Sequence, residues 1–210
     1  MQTSRSIVDL RKLLADRFPQ VRLACAPRQP VRSVVTGIPD LDTLLGGGLP
    51  QGEFTELVAG GQASGSAAVI HELLRRVARN RQFLALVDGM GSFDATAAEP
   101  AVLTRLLWIQ CHQASEALKA TDLLLRDRNF PILVLDLKLN TPRELRKIPA
   151  STWFRYGRLL ERNQSTVLVI TPRQLVSRAA CRVSLECALG LNSLSLPRDR
   201  FVSALRFKLG

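Results

Sequence analysis

The chain has 210 residues, 46% hydrophobic and 22% charged, a globular balance that argues against an intrinsically disordered polymer. Its 29 Lys and Arg against 18 Asp and Glu give a formal net charge of +11. Such an excess favours polyanionic partners such as DNA, RNA or an acidic protein surface, although an arginine-rich, high-GC proteome produces the same bias. No apolar run approaches the roughly 20 residues of a membrane span, and the first residues are amphipathic, so neither a membrane segment nor a signal peptide is expected.

In chain order, Ile7, Leu10, Leu13, Leu14 and Phe18 fall at helical spacing opposite Arg5, Arg11, Lys12 and Arg17. Three prolines in residues 19–31 then read as an extended tether. Residues 1–31 are thus expected as an amphipathic helix and linker, which either folds back or hooks a neighbouring subunit or partner. Residues 32–210 are expected as one core domain. From there, strand and helix alternate: a strand at Arg32–Thr36, a helix at Pro39–Leu45 ended by Gly46, Gly47 and Gly48, and a strand at Phe54–Ala59. A helix follows over Ala67–Arg79 with Val69, Ile70, Leu73, Leu74 and Val77 on one face. Strands are expected at Phe83–Val87, Leu106–Cys111, Ile132–Leu137 and Thr166–Thr171, with a helix at Ser115–Arg126 and a long one to Asn163 weakened at Pro149. Cys181–Ala188, Leu191–Leu196 and Phe201–Leu209 read as antiparallel strands.

Continuous apolar runs between helices mean strands covered on both faces. The expected fold is an α/β three-layer domain with a mainly parallel central sheet and an antiparallel extension at one edge. Leu118, Leu123, Leu124, Leu125, Trp108, Trp153 and Phe154 are expected in the core. Cys25, Cys111, Cys181 and Cys187 form no CxxC pair and only His71 and His112 accompany them, so no metal site is expected and the thiols read as reduced.

A phosphate-binding loop needs a strand, then G-x-x-x-x-G-K-[ST], then a helix, so that backbone N–H groups, a lysine and a magnesium-holding hydroxyl converge. After Phe54–Ala59 the chain reads Gly60-Gly61-Gln62-Ala63-Ser64-Gly65-Ser66-Ala67. Gly60 and Gly65 keep the spacing; Ser66 takes the lysine position and Ala67 the hydroxyl position. The phrase TGIPDLDTLLGGGLPQG at Thr36–Gly52, leading into this loop, resembles the opening of the RecA-like core, a likeness covering most of residues 32–175.

That resemblance implies a RecA fold and a second nucleotide motif ending at Asp136, whose carboxylate would support magnesium. It places Met90 where the family has its catalytic glutamate, and Pro172 where it has a γ-phosphate-sensing glutamine. With lysine, hydroxyl and glutamate all replaced, no ATPase activity and no required cofactor are expected, and residual ATP binding through backbone N–H groups is left open. Leu106–Asp136 (LLWIQCHQASEALKATDLLLRDRNFPILVLD) and Ser151–Glu161 (STWFRYGRLLE) resemble the ImuA group of RecA-like proteins. This implies a cytoplasmic, nucleoid-associated accessory of damage-induced translesion synthesis. Its implied partners are a Y-family polymerase-like protein, with RecA, single-stranded DNA and self-association as further possibilities. A SulA-like inhibitor of the division protein FtsZ and a divergent ATP-binding protein are the alternatives.

By the same resemblance two loops would touch DNA. Lys138–Pro149 holds Arg143, Arg146 and Lys147; Pro172–Ala180 holds Arg173 and Arg178, with Arg182 just beyond. Arg198 and Arg200 add charge near the C-terminal end. Each of these cations also fits a solvated face, or a contact with protein rather than DNA.

Overall fold

A computed structural model of the chain describes residues 32–60, 64–186 and 198–210. The helix and tether expected over residues 1–31, the strand expected at Leu191–Leu196, and Cys25 and Cys187 lie outside them.

The elements are β1 (Ser33–Val34), α1 (Pro39–Leu44), β2 (Leu49–Pro50), β3 (Phe54–Val58), α2 (Ser66–Arg79), β4 (Leu84–Asp88), a 3-10 turn at Ala95–Ala97, α3 (Pro100–Leu103) and β5 (Leu106–Gln110). They continue with α4 (Ala114–Asp127), β6 (Ile132–Asp136), α5 (Pro142–Arg146), α6 (Ala150–Asn163), β7 (Thr166–Thr171), β8 (Ala179–Glu186), α7 (Arg198–Ser203) and β9 (Arg206–Leu209). The main sheet has seven strands in the order β5-β4-β6-β7-β3-β8-β9. β5, β4, β6, β7, β3 and β8 pair in parallel, and β9 supplies the antiparallel edge.

The apolar runs serve both faces because strand side chains alternate. Leu57, Leu84, Leu86, Val134, Leu168 and Ile170 pack towards α1 and α2 on one side. Phe54, Ala85, Val87, Leu133, Leu135 and Val169 pack towards α4 and α6 on the other. On α2 all five residues expected to face the core are buried. Proline at residue 149 ends the long helical stretch outright: α5 stops at Arg146 and α6 starts at Ala150, with Pro149 as its N-cap. α5 is short but well started, because Thr141 and Glu144 exchange side-chain and backbone hydrogen bonds across its first turn with Pro142 at N1.

Several expectations need correction. Phe201–Leu209 is not one strand: α7 runs to Ser203 and only Arg206–Leu209 joins the sheet. Phe201 and Val202 are half-buried on α7, and Leu205, just beyond the helix, is buried. Leu123 and Phe154 are not core residues; they are 68% and 54% exposed on the outer faces of α4 and α6. Trp108 lies on β5, an edge strand of the sheet, half-buried against Phe93 with ring centroids 5.4 Å apart. Cys111 just follows β5, its N–H donating to the Asp88 carbonyl at 2.8 Å, and burial pushes its thiol pKa up.

Candidate functional site

In the sheet order β4-β6-β7-β3, four parallel strands present their carboxyl ends side by side, where open α/β sheets hold ligands. The loop after β3, which carries the Gly60 and Gly65 spacing, leaves the sheet there. Gly60 is exposed and Gly61 lies outside the described residues. Ser64 and Ser66 are buried with hydroxyl oxygens 3.5 Å apart. Gly65 turns the chain into α2 at φ 82, a left-handed conformation that a side chain resists. Ser66 and exposed Ala67 are the first two residues of the 14-residue α2.

A cation does reach this loop, from another element. Lys138 stands two residues beyond β6, and its ammonium donates to the Ser66 hydroxyl at 3.4 Å. Burial pushes the Lys138 pKa down while Asp136 opposes the shift. Ser66 is thus in contact with a lysine 72 residues later in the chain.

Asp136 ends β6 directly across from Asp88 at the end of β4, and both carboxyls are buried. Asp88 is an acceptor towards every partner it has in the turn that follows it. Its Oδ1 receives the N–H groups of Met90 at 3.3 Å and Ser92 at 2.8 Å, and its Oδ2 that of Phe93 at 2.9 Å. The Ser92 hydroxyl then lies between the two acids, 3.2 Å from Asp88 Oδ1 and 2.6 Å from Asp136 Oδ2. One hydroxyl proton cannot serve two carboxylates. The shorter contact directs the Ser92 hydroxyl to Asp136; protonation of Asp136 would reverse that bond and free the hydroxyl for Asp88. Burial pushes the Asp136 pKa up in the same sense, against the Ser92 and Lys138 N–H bonds that favour the anion.

Met90, at the position the RecA resemblance gives to a catalytic glutamate, is 40% exposed and offers a thioether with no basic function. Gly89 beside it is needed for space. A Cβ there would lie 2.1 Å from Asn140 Oδ1 and 2.8 Å from the Asp136 carbonyl. Asn140 Nδ2 in turn donates to the Gly89 carbonyl at 3.2 Å, tying the β4 turn to the loop after β6.

The basic residues separate into groups. Arg143 and Arg146 on α5 and Lys147 at its end are exposed. Arg173 reaches the Pro142 carbonyl at 3.5 Å, so the two loops expected to touch DNA meet at this point. Arg178 is directed elsewhere: it pairs with Glu161 and lies across α6 at Gly157. Arg182 is engaged inside the fold. Its Nε donates to Glu56 at 2.7 Å and its guanidinium to the Val176 carbonyl at 2.8 Å. Arg200 is exposed on α7, and the side chain of Arg198 lies outside the description.

Glu56 is the fully buried centre of that second network. Its Oε1 accepts from the Thr171 hydroxyl at 3.1 Å and from the N–H groups of Leu175 at 2.6 Å and Val176 at 3.0 Å. The segment between β7 and β8 is thereby pinned to β3. Sequence reasoning passed over Lys138, Ser92, Glu56 and Asn140. Glu56 alone carried a visible signal, a charge within the otherwise uncharged run Phe54–Val58.

No protein-family model matches the chain. It is 36% identical to the protein RecA of Nostoc punctiforme over 118 residues, 55% of this chain and 33% of that protein. Over the same length it is 33% identical to RecA of a Nostoc species and 32% identical to RecA of Crocosphaera subtropica. The match with RecA of Nostoc punctiforme thus spans about a third of that relative's length. Among the described residues no helix is long and apolar enough to cross a membrane. This similarity to RecA proteins, together with a mostly parallel seven-stranded sheet flanked by helices, supports a RecA-like fold.

Proposed function

We propose that the chain is a RecA-fold accessory protein without ATPase activity, acting like the ImuA group in damage-induced, error-prone translesion synthesis. It serves as a scaffold for a Y-family polymerase-like protein and meets single-stranded DNA through the cations around α5. The observation that carries this reading is the closed polar network at the strand ends. Lys138 is bonded to Ser66, and Asp136 is buried against Ser92 and Asp88, so the groups that would face nucleotide and magnesium face one another. Hydrolysis would lack a metal-holding hydroxyl at position 67 and a general base at position 90, and the nearby ammonium of Lys138 is engaged with Ser66.

The exposed cations Arg143, Arg146, Lys147 and Arg173 suit sequence-independent phosphate contacts. The test is co-purification of the tagged full chain with a Y-family polymerase-like protein. Retention at physiological salt is expected. No retention, or filamentation on expression with direct FtsZ binding, would replace this reading by a division inhibitor or another role. A second reading is favoured by Lys138 itself, because an ammonium beside Ser66 suits a phosphate: nucleotide binding without turnover.

A further inference from the structure

Helices α4 and α6 lie on one face of the sheet, and a cavity of about 400 Å³ opens at their outer surface. Leu118, Lys119, Asp122, Leu123, Arg155 and Tyr156 line it, with Thr152. Leu123 projects at its lip, 68% exposed, whereas Leu118, Leu124 and Leu125 on the same helix are withdrawn. A single exposed leucine means little. Here it belongs to a concave apolar surface that also has a charge imbalance and an unmet hydrogen bond.

The Asp122 carboxylate is held by Arg126 at 2.8 Å and Arg155 at 3.3 Å, so two cations already face one anion. Lys119 on the same cavity wall, within the field of Glu116 one turn earlier, and exposed Arg158, one turn beyond Arg155, add further positive charge. Asp122 Oδ1 is shielded from solvent and has no hydrogen-bond donor among the described residues; its contact with Arg155 is ionic only.

We propose that this groove docks a short acidic peptide segment of a protein partner. An apolar side chain of the peptide packs on Leu118 and Leu123 at the mouth of the groove, whose floor is the buried Tyr156. A peptide N–H donates to Asp122 Oδ1 as Arg155 turns outward, and the peptide's carboxylates meet Arg155 and Lys119. The occupant is protein rather than nucleic acid because the lip of the groove is aliphatic and offers no exposed ring on which a base could stack. The proposal rests on the scaffold reading and names its contact surface.

The test uses fluorescence anisotropy on the full chain with a short fluorescein-labelled peptide carrying a central Leu-Phe pair flanked by glutamates. Saturable binding is expected, weakened about tenfold or more by Leu123→Asp and several-fold by Lys119→Glu. It should be indifferent to Arg143→Ala, and circular dichroism should show Leu123→Asp folded, since this side chain is exposed. Equal binding of a control peptide with Ala-Ala at its centre, no effect of Leu123→Asp, or displacement by a single-stranded oligonucleotide would overturn the proposal. Loss of peptide binding while the polymerase-like protein is still retained would sink the groove alone; loss of that retention would sink the scaffold reading.

Discussion

Replacing Asp136 by Asn tests whether this buried carboxyl acts as a magnesium-holding anion or as a neutral acid. Asparagine keeps an acceptor for the Lys138 N–H, which lies 2.9 Å from Asp136 Oδ1. Its amide then donates to Ser92, leaving the Ser92 hydroxyl free to donate to Asp88 at 3.2 Å. The variant thus satisfies the network without a buried charge or a bound proton. The carboxyl of Asp136 has a folded pKa raised above its ordinary 3.8 by burial. It therefore contributes stability that is complete below that ordinary value and is lost as pH rises through the folded one. The Asp136→Asn variant carries no such loss. It should gain on the native chain with rising pH, reaching about 1 kcal/mol at pH 8, the worth of one satisfied hydrogen bond. In a domain of this size that is a Tm rise of about 2–4 °C. Thermal unfolding at pH 5 and pH 8 measures it. A variant that loses stability relative to the native chain, and loses more at pH 8, would show Asp136 ionised and paired with Lys138, and would refute the reasoning.

Glu56→Gln should cost about 3 kcal/mol in denaturant unfolding, because it leaves half-buried Arg182 without its counter-charge; a cost below about 1 kcal/mol would show that the pair does not hold the β7–β8 segment. Combined Arg143→Ala, Arg146→Ala and Lys147→Ala should leave stability within about 0.5 kcal/mol, since all three are exposed. The same variant should lower the salt slope of single-stranded DNA binding by about 2. An unchanged slope would place the DNA contact elsewhere.

The layers of the fold were legible because periodicity is local. Thr166–Thr171 reads as an uninterrupted apolar run and forms β7 with those bounds, and the apolar face of α2 is buried as its spacing demands. The C-terminal segment was misread because a few apolar residues can satisfy strand and helix spacing alike. Leu123 and Phe154 were misplaced for a different reason. Burial of a helix face depends on what packs over it, and nothing among the described residues covers these two. Ser66 and Ala67 at the loop's lysine and hydroxyl positions could be read directly. The contact of Lys138 with Ser66 could not, because the residues are 72 positions apart and only the parallel sheet brings the ends of β3 and β6 near one another. Ser92 between Asp88 and Asp136 is likewise a product of register, not of sequence spacing.

Nucleotide binding and turnover test the central claim most directly. The full chain is titrated with fluorescent ATP and magnesium, and phosphate release is followed with and without single-stranded DNA. A strand-end network closed on itself should give no magnesium-dependent binding and no release. Saturable binding with DNA-stimulated release, abolished by Lys138→Met and by Asp136→Asn, would contradict it and make Lys138 the working substitute for the missing loop lysine.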